Sequence, residues 1–133
     1  MECYVNYEIA KKLKEKGFSL NKEDVEFIGC RFIFSDECTI KRISTIGVYE
    51  KEYLGENIDC PTIQQALKWL RQKQAIHIDT AIWENGWFSI VFAYEYYEEE
   101  NQYSIKLVHE TKDYKSYEQA SLAGIEYVLD NLI

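Results

Sequence analysis

Two side chains that could perform acid–base chemistry, His77 and Asp79, stand two residues apart in a segment of strand-like composition. A strand places residues i and i+2 on the same face, and a carboxylate beside an imidazole can orient it as a general base. An incidental pair at the end of a strand gives the same pattern. The sequence contains no G-x-S-x-G, phosphate-binding loop or H-E-x-x-H motif. We therefore predict a protein that is not an enzyme, with a small hydrolase-like enzyme using His77 and Asp79 as an alternative.

The cysteines are the other candidate reactive groups. There are four, at positions 3, 30, 38 and 60, and none belongs to a C-x-x-C pair. The first residues, MECYVNYEIAKKLKEKG, lack the apolar core of a signal peptide, so a reduced, cytoplasmic setting is expected. The close ligand pairs of structural zinc sites are missing, and we predict neither a metal nor a cofactor.

The charge distribution bears on the partner. The net charge is −8, and residues 71–133 contribute −6 from 5 Lys/Arg against 11 Asp/Glu. This balance repels phosphate backbones and anionic membranes. No apolar run approaches the roughly 20 residues that cross a bilayer. The sequence thus argues against nucleic acid and against a membrane as partners, while the charge of −6 on residues 71–133 suggests an acidic mimic of nucleic acid.

The elements that must position these residues are clearest after residue 61. Thr62 and Gln65 form a capping box, and an apolar stripe at helical spacing follows. Asn85-Gly86 predicts a two-residue type I′ hairpin turn that places Trp83 opposite Phe88. A third strand is expected over 103–108. A final helix begins at Ser116. The predicted helical stripes are Ile63, Ala66, Leu67 and Leu70 in the first helix, and Leu122, Ile125, Val128, Leu129 and Leu132 in the second.

The first 59 residues predict a helix over 6–16, capped by Asn6 and ended by Gly17, and then two strands. The strands are expected over 25–34 and within 39–50, and 51–59 is expected to be a loop. The fold class is therefore α+β, with an antiparallel sheet covered by helices on one face. The order is α-β-β (1–59) followed by α-β-β-β-α (60–133) in one domain, and the second part has the topology of double-stranded RNA-binding domains.

The predicted hairpin is apolar on both faces. One face is aliphatic and suits the helices. The other carries aromatic side chains, which are our candidate interface residues: Trp83, Phe88, Phe92, Tyr94 and Tyr96. Three alternatives exist for this second face: the 25–34 region covers it, a second copy of the chain covers it, or it stays open as a binding surface.

Three segments carry a resemblance to a known group of proteins. They are CPTIQQALKWLR (60–71) with AIHI (75–78), the NGWF hairpin (85–88), and SYEQA-x-x-AGIEYVL (116–129). The chain resembles small uncharacterised proteins of phages and integrated mobile elements of gut anaerobic bacteria, many of which open with a helix like AKKLKEKGF (10–18). The motifs are caps and core positions, so the resemblance implies a shared fold and transfers no catalytic residue.

The sequence therefore predicts an accessory protein of a phage or mobile element that acts by protein contact, with an unidentified protein or a second copy as partner. A nucleic-acid-binding module is the alternative from a different class.

Overall fold

The structure, a computed structural model, describes residues 3–20, 30–36, 39–44 and 58–133. The chain divides into two compact units, Met1–Thr62 and Ile63–Ile133, called here the N-terminal and C-terminal units.

The N-terminal unit begins with helix α1, Tyr7–Glu15. The Asn6 side chain caps it by accepting a hydrogen bond from the Ile9 N–H at 2.9 Å. Gly17 ends it with a φ of 88°, and the Phe18 N–H returns to the Leu13 carbonyl at 3.0 Å. This confirms the predicted cap and stop, because each depends on residues within a few positions of one another.

A three-stranded antiparallel sheet is the other element in the described part of this unit. It consists of β1 (Cys30–Phe34), β2 (Ile40–Ser44) and β3 (Ile58–Asp59) in the order β2-β1-β3. The predicted strands are confirmed where the structure describes them, and residues 25–29 and 45–50 lie outside the described ranges. The short strand β3 falls where a loop is predicted, since its two residues carry no periodic signal and form a strand only by pairing with β1.

Backbone hydrogen bonds join the segment after β3 to the rest of the N-terminal unit. The Cys60 N–H donates to the Phe32 carbonyl at 2.8 Å, and the Val5 N–H donates to the Pro61 carbonyl at 3.0 Å. Cys60 is 2% exposed. Burial, together with the negative charge of Asp59, raises the pKa of its thiol from 9.0 to about 11.

The C-terminal unit has the predicted order α-β-β-β-α. Its elements are α2 (Ile63–Gln74), β4 (Ile76–Trp83), β5 (Gly86–Tyr97), β6 (Gln102–Glu110) and α3 (Tyr117–Asn131). The strands form an antiparallel sheet in the order β4-β5-β6, and both helices pack against it. The predicted α2 stripe is buried completely, and in α3 the Ser116 side chain accepts from the Gln119 N–H at 3.1 Å.

Helix α3 approaches the sheet more closely than a stripe of large side chains allows. Its buried positions include Ala120, Ser121 and Gly124, whereas Leu122 and Leu132 are only half-buried. A Cβ atom on Gly124 would lie 3.1 Å from the Ser89 Cβ. Small residues therefore replace part of the predicted leucine stripe, and they bring helix and sheet backbones together.

The close approach buries a chain of hydroxyl groups. The Ser89 hydroxyl donates to the Ala120 carbonyl at 2.7 Å, and it lies 2.8 Å from the Thr80 hydroxyl. The Thr80 hydroxyl also lies 2.9 Å from that of Ser121. Each hydroxyl has one proton, so Thr80 donates to Ser89 and Ser121 donates to Thr80. This series of hydrogen bonds runs from the helix to the sheet and back to the helix backbone. It gives hydrogen-bond partners to the hydroxyl groups of Ser89 and Ser121, which are both fully buried.

The hairpin turn differs from the predicted one. Trp83 pairs with Gly86 rather than Phe88, so the two loop residues are Glu84 and Asn85. Gly86 has a φ of 135°, and a Cβ atom there would lie 2.5 Å from the Tyr114 carbonyl oxygen. Glycine is therefore required at the start of β5 by a contact with residue 114, and not by a type I′ turn. The pairing slips by two residues, and an even slip leaves every side chain on its predicted face.

None of the helices in the described residues is both long enough and apolar enough to span a membrane.

Candidate functional site

One face of the β4-β5-β6 sheet carries the predicted interface residues, and we call it the aromatic face. Directly paired residues of antiparallel strands point to the same side, so the pairing of Phe92 with both His77 and Leu107 fixes its members. They are His77, Asp79, Ala81 and Trp83 from β4, Phe88, Ile90, Phe92, Tyr94 and Tyr96 from β5, and Tyr103, Ile105 and Leu107 from β6. The opposite face, with Ile78 and Ser89, packs against α3.

The five predicted interface residues lie together on this face, and they differ in exposure. Trp83, beside the turn, and Tyr96, near the far end of β5, are exposed. Phe88, Phe92 and Tyr94 are half-buried along the middle strand. The aromatic side chains of β5 thus form the floor of the surface, with exposed rings at its ends.

Strand β6 adds an exposed apolar row that the sequence reasoning missed. Tyr103 is 58% exposed, Ile105 67% and Leu107 58%, although all three are large and apolar. The signal is visible in the alternation Tyr-Ser-Ile-Lys-Leu at 103–107, which places every second residue on one face. The strand was predicted, but its apolar row was not assigned to the face that Phe92, Tyr94 and Tyr96 define.

A bulge in β6 separates this row from the second histidine. The pairing with β5 shifts between Val91 and Phe92, so that Val91 pairs with His109. Val91 belongs to the buried side, and His109 accordingly stacks on the Tyr127 ring of α3 at 3.6 Å between ring centroids, with planes 4° apart. The extra residue therefore turns His109 away from the aromatic face.

His77 and Asp79 lie on the same face, as their spacing predicts, but no hydrogen bond joins these two described residues. The His77 ring instead stacks on Phe92, with centroids 6.4 Å apart and an angle of 23° between the planes. Asp79 is exposed. The geometry thus positions the imidazole by an aromatic contact and not by a carboxylate, which is not the arrangement of an oriented general base.

A groove lies beside His77 on the aromatic face. Its volume is about 470 Å³, and its described lining residues are Arg71, His77, Phe92, Tyr94, Tyr103 and Ile105. Arg71 comes from the last turn of α2, and the Tyr94 hydroxyl donates to its backbone carbonyl. Ala75, with a φ of 54°, is the single residue between α2 and β4, and its carbonyl accepts from the Tyr94 N–H at 3.1 Å. These bonds hold the end of the helix against the middle strand.

The turn between β5 and β6 carries the strongest negative charge of the unit. Glutamates 98–100 are all exposed, directly beyond the aromatic face. Glu95 accepts a hydrogen bond from the Tyr97 hydroxyl at 3.2 Å, and this bond and the carboxylate charge raise the pKa of Tyr97. The surface is therefore apolar in its middle and acidic at one end.

The described cysteines differ in setting, since Cys3 is exposed and Cys60 is buried. Cys38 lies outside the described residues. Within the part of the chain that the structure describes, no three His, Cys, Asp or Glu residues are grouped so that they could hold a metal ion.

No family model, curated protein or solved structure matches the chain.

Proposed function

We propose that the protein is a non-enzymatic accessory protein of a phage or integrated mobile element, and that it binds a partner protein through its aromatic face. The observation that carries the proposal is the exposed row of Tyr103, Ile105 and Leu107, beside the rings of Phe92 and Tyr94. Contiguous apolar surface of this kind on a soluble domain is typical of interaction sites.

The energetics favour burial of this row. Each large apolar side chain that passes from water into a packed interface contributes roughly 1.5–3 kcal/mol. Three such residues, with the half-buried rings as a floor, offset a substantial part of the cost of association. Aromatic residues are also enriched at the centres of protein interfaces, where they contribute most of the binding energy.

The charge of the chain favours a different protein over a second copy as partner. Each copy carries −8, so two copies repel one another, whereas a partner with a basic rim is attracted. Glutamates 98–100 lie at one end of the aromatic face, where the basic rim of such a partner would contact them. If these carboxylates made most of the contacts, the protein would be an acidic mimic of nucleic acid, and that is the second form of the proposal.

An affinity capture from the native host's lysate tests the proposal. The tagged full-length protein is compared with Ile105→Asp and with Ser104→Asp, which introduces the same charge into the same strand on the opposite face. Both positions are exposed, so neither variant is expected to unfold the unit. We expect one stoichiometric partner with the wild type and with Ser104→Asp, and its loss with Ile105→Asp. Equal capture by all three would refute a role for the aromatic face.

Reversal of the charges at 98–100 separates the two forms of the proposal. With Lys at all three positions, contact through the apolar row predicts weaker binding that responds to salt, and the mimic predicts complete loss. Capture without any change would exclude the mimic.

A further inference from the structure

The groove beside His77 has the size and the lining of a site for a small molecule. Its volume of about 470 Å³ falls in the range of roughly 300–1,000 Å³ that is usual for ligand pockets. All its described lining residues belong to the C-terminal unit, so the site is built by one compact part of the chain.

Aromatic rings form most of the walls. Phe92 stacks on His77, while Tyr103 meets Tyr94 edge-to-face, with centroids 6.1 Å apart and planes at 70°. A planar apolar group can therefore contact both the face and the edge of neighbouring rings. Ile105 and Tyr103 are largely exposed at the rim, and a ligand in the groove would remove part of both from water.

Arg71 is the one side chain with a permanent charge among the described residues that line the groove. Among the described residues that line the groove, none is an aspartate or glutamate. The guanidinium group is always protonated, and its planar fork matches a carboxylate with two parallel hydrogen bonds. The Tyr94 hydroxyl, bonded to the Arg71 carbonyl, anchors the backbone from which this side chain extends.

We propose that this groove binds a small molecule that combines a planar aromatic ring system with one carboxylate. The ring lies against Phe92 and Tyr103, and the carboxylate pairs with Arg71. Aromatic walls also attract cations, but a cationic ligand would be repelled by the guanidinium group. The site goes beyond the proposed partner binding and does not depend on it.

The test uses indole-3-acetate and its neutral isostere indole-3-acetamide as probes, titrated into the isotope-labelled full-length protein. The Ile105 methyl signal reports occupancy by NMR. We expect a saturable shift, with indole-3-acetate binding about tenfold more tightly, because a charge-assisted hydrogen bond is stronger than a neutral one. Arg71→Gln is expected to abolish this preference. Lys73→Gln, an exposed change in the same helix outside the groove lining, should preserve it.

Equal affinity for the two probes, or an unchanged preference in Arg71→Gln, would overturn the assignment of Arg71. Absence of a saturable Ile105 shift, or tighter binding of tetramethylammonium than of indole-3-acetate, would overturn the site itself. Tyr103→Ala supplies a second check, since loss of the wall should weaken both indole probes equally. None of these measurements involves a protein partner, so failure here is separate from failure of the capture experiment.

Discussion

Replacing Gly86 with alanine tests the contact that sets the start of β5. The glycine has a φ of 135°, and its missing Cβ would lie 2.5 Å from the Tyr114 carbonyl oxygen. That oxygen accepts from the Trp87 N–H at 2.8 Å, and the Tyr114 N–H donates to the Trp87 carbonyl at 2.7 Å. Alanine must therefore adopt an unfavourable φ and push away a backbone that holds two hydrogen bonds.

The two costs can be added approximately. A non-glycine residue in such a conformation costs about 1–3 kcal/mol. Separation of the Trp87–Tyr114 pair removes two hydrogen bonds, each contributing about 1 kcal/mol. We therefore expect Gly86→Ala to lower the free energy of unfolding of the C-terminal unit by about 3–5 kcal/mol.

Gly17→Ala is the matched control, because Gly17 has a φ of 88° but no atom of the described residues lies within 4 Å of the added Cβ. It should cost its own unit only about 1 kcal/mol. Native-state amide exchange measures both effects, through the slowest-exchanging amides of β5 for one variant and of α1 for the other. A Gly86→Ala cost equal to that of Gly17→Ala would refute the contact with Tyr114 as the reason for glycine.

Three further changes have defined outcomes. Thr80→Val keeps the side-chain shape but breaks both hydroxyl contacts, so urea titration should show that the free energy of unfolding falls by about 2 kcal/mol, against about 1 kcal/mol for Ser121→Ala. Equal losses would refute the central place of the Thr80 hydroxyl between Ser89 and Ser121. Ala75→Gly should stabilise the C-terminal unit by about 0.5–1 kcal/mol in the same assay, because glycine adopts the φ of 54° without strain, and destabilisation would contradict this explanation. The pKa of Cys60, raised from 9.0 to about 11, gives the thiol a stabilising effect that is complete below pH 9.0 and lost as the pH rises to about 11. As the pH rises from below 9.0 to above 11, the free energy of unfolding of the N-terminal unit should fall by about 3 kcal/mol more in the wild type than in Cys60→Ala, at roughly 1.4 kcal/mol per pKa unit over two units. Parallel losses in the two proteins would contradict the effect of burial on the thiol.

The sequence predicted those parts of the fold that depend on neighbouring residues. The caps at Asn6 and Ser116 and the stripe of α2 follow from spacings of three and four residues. The two faces of the hairpin were also predicted correctly, although the turn was misplaced, since alternation along a strand survives an even slip.

The features that were missed depend on contacts between distant segments. Gly86 is fixed by Tyr114, and Ser89 is buried because α3 presents small residues to it. The groove could not be predicted for the same reason, because Arg71 reaches it only through the close connection between α2 and the sheet. The apolar row of β6 could have been predicted from the sequence. It requires only that the alternation of apolar and polar residues in β6 be combined with the same alternation in β5.

A photo-crosslinking experiment tests the central proposal most directly. A photoreactive benzoylphenylalanine replaces either Tyr103, on the aromatic face, or Ser104, on the opposite face of the same strand. On irradiation in the native host, we predict one heavier adduct with a different protein from position 103 and none from position 104. Adducts from position 104 alone, or a product of twice 15.8 kDa that contains only this chain, would contradict binding of a partner protein through the aromatic face.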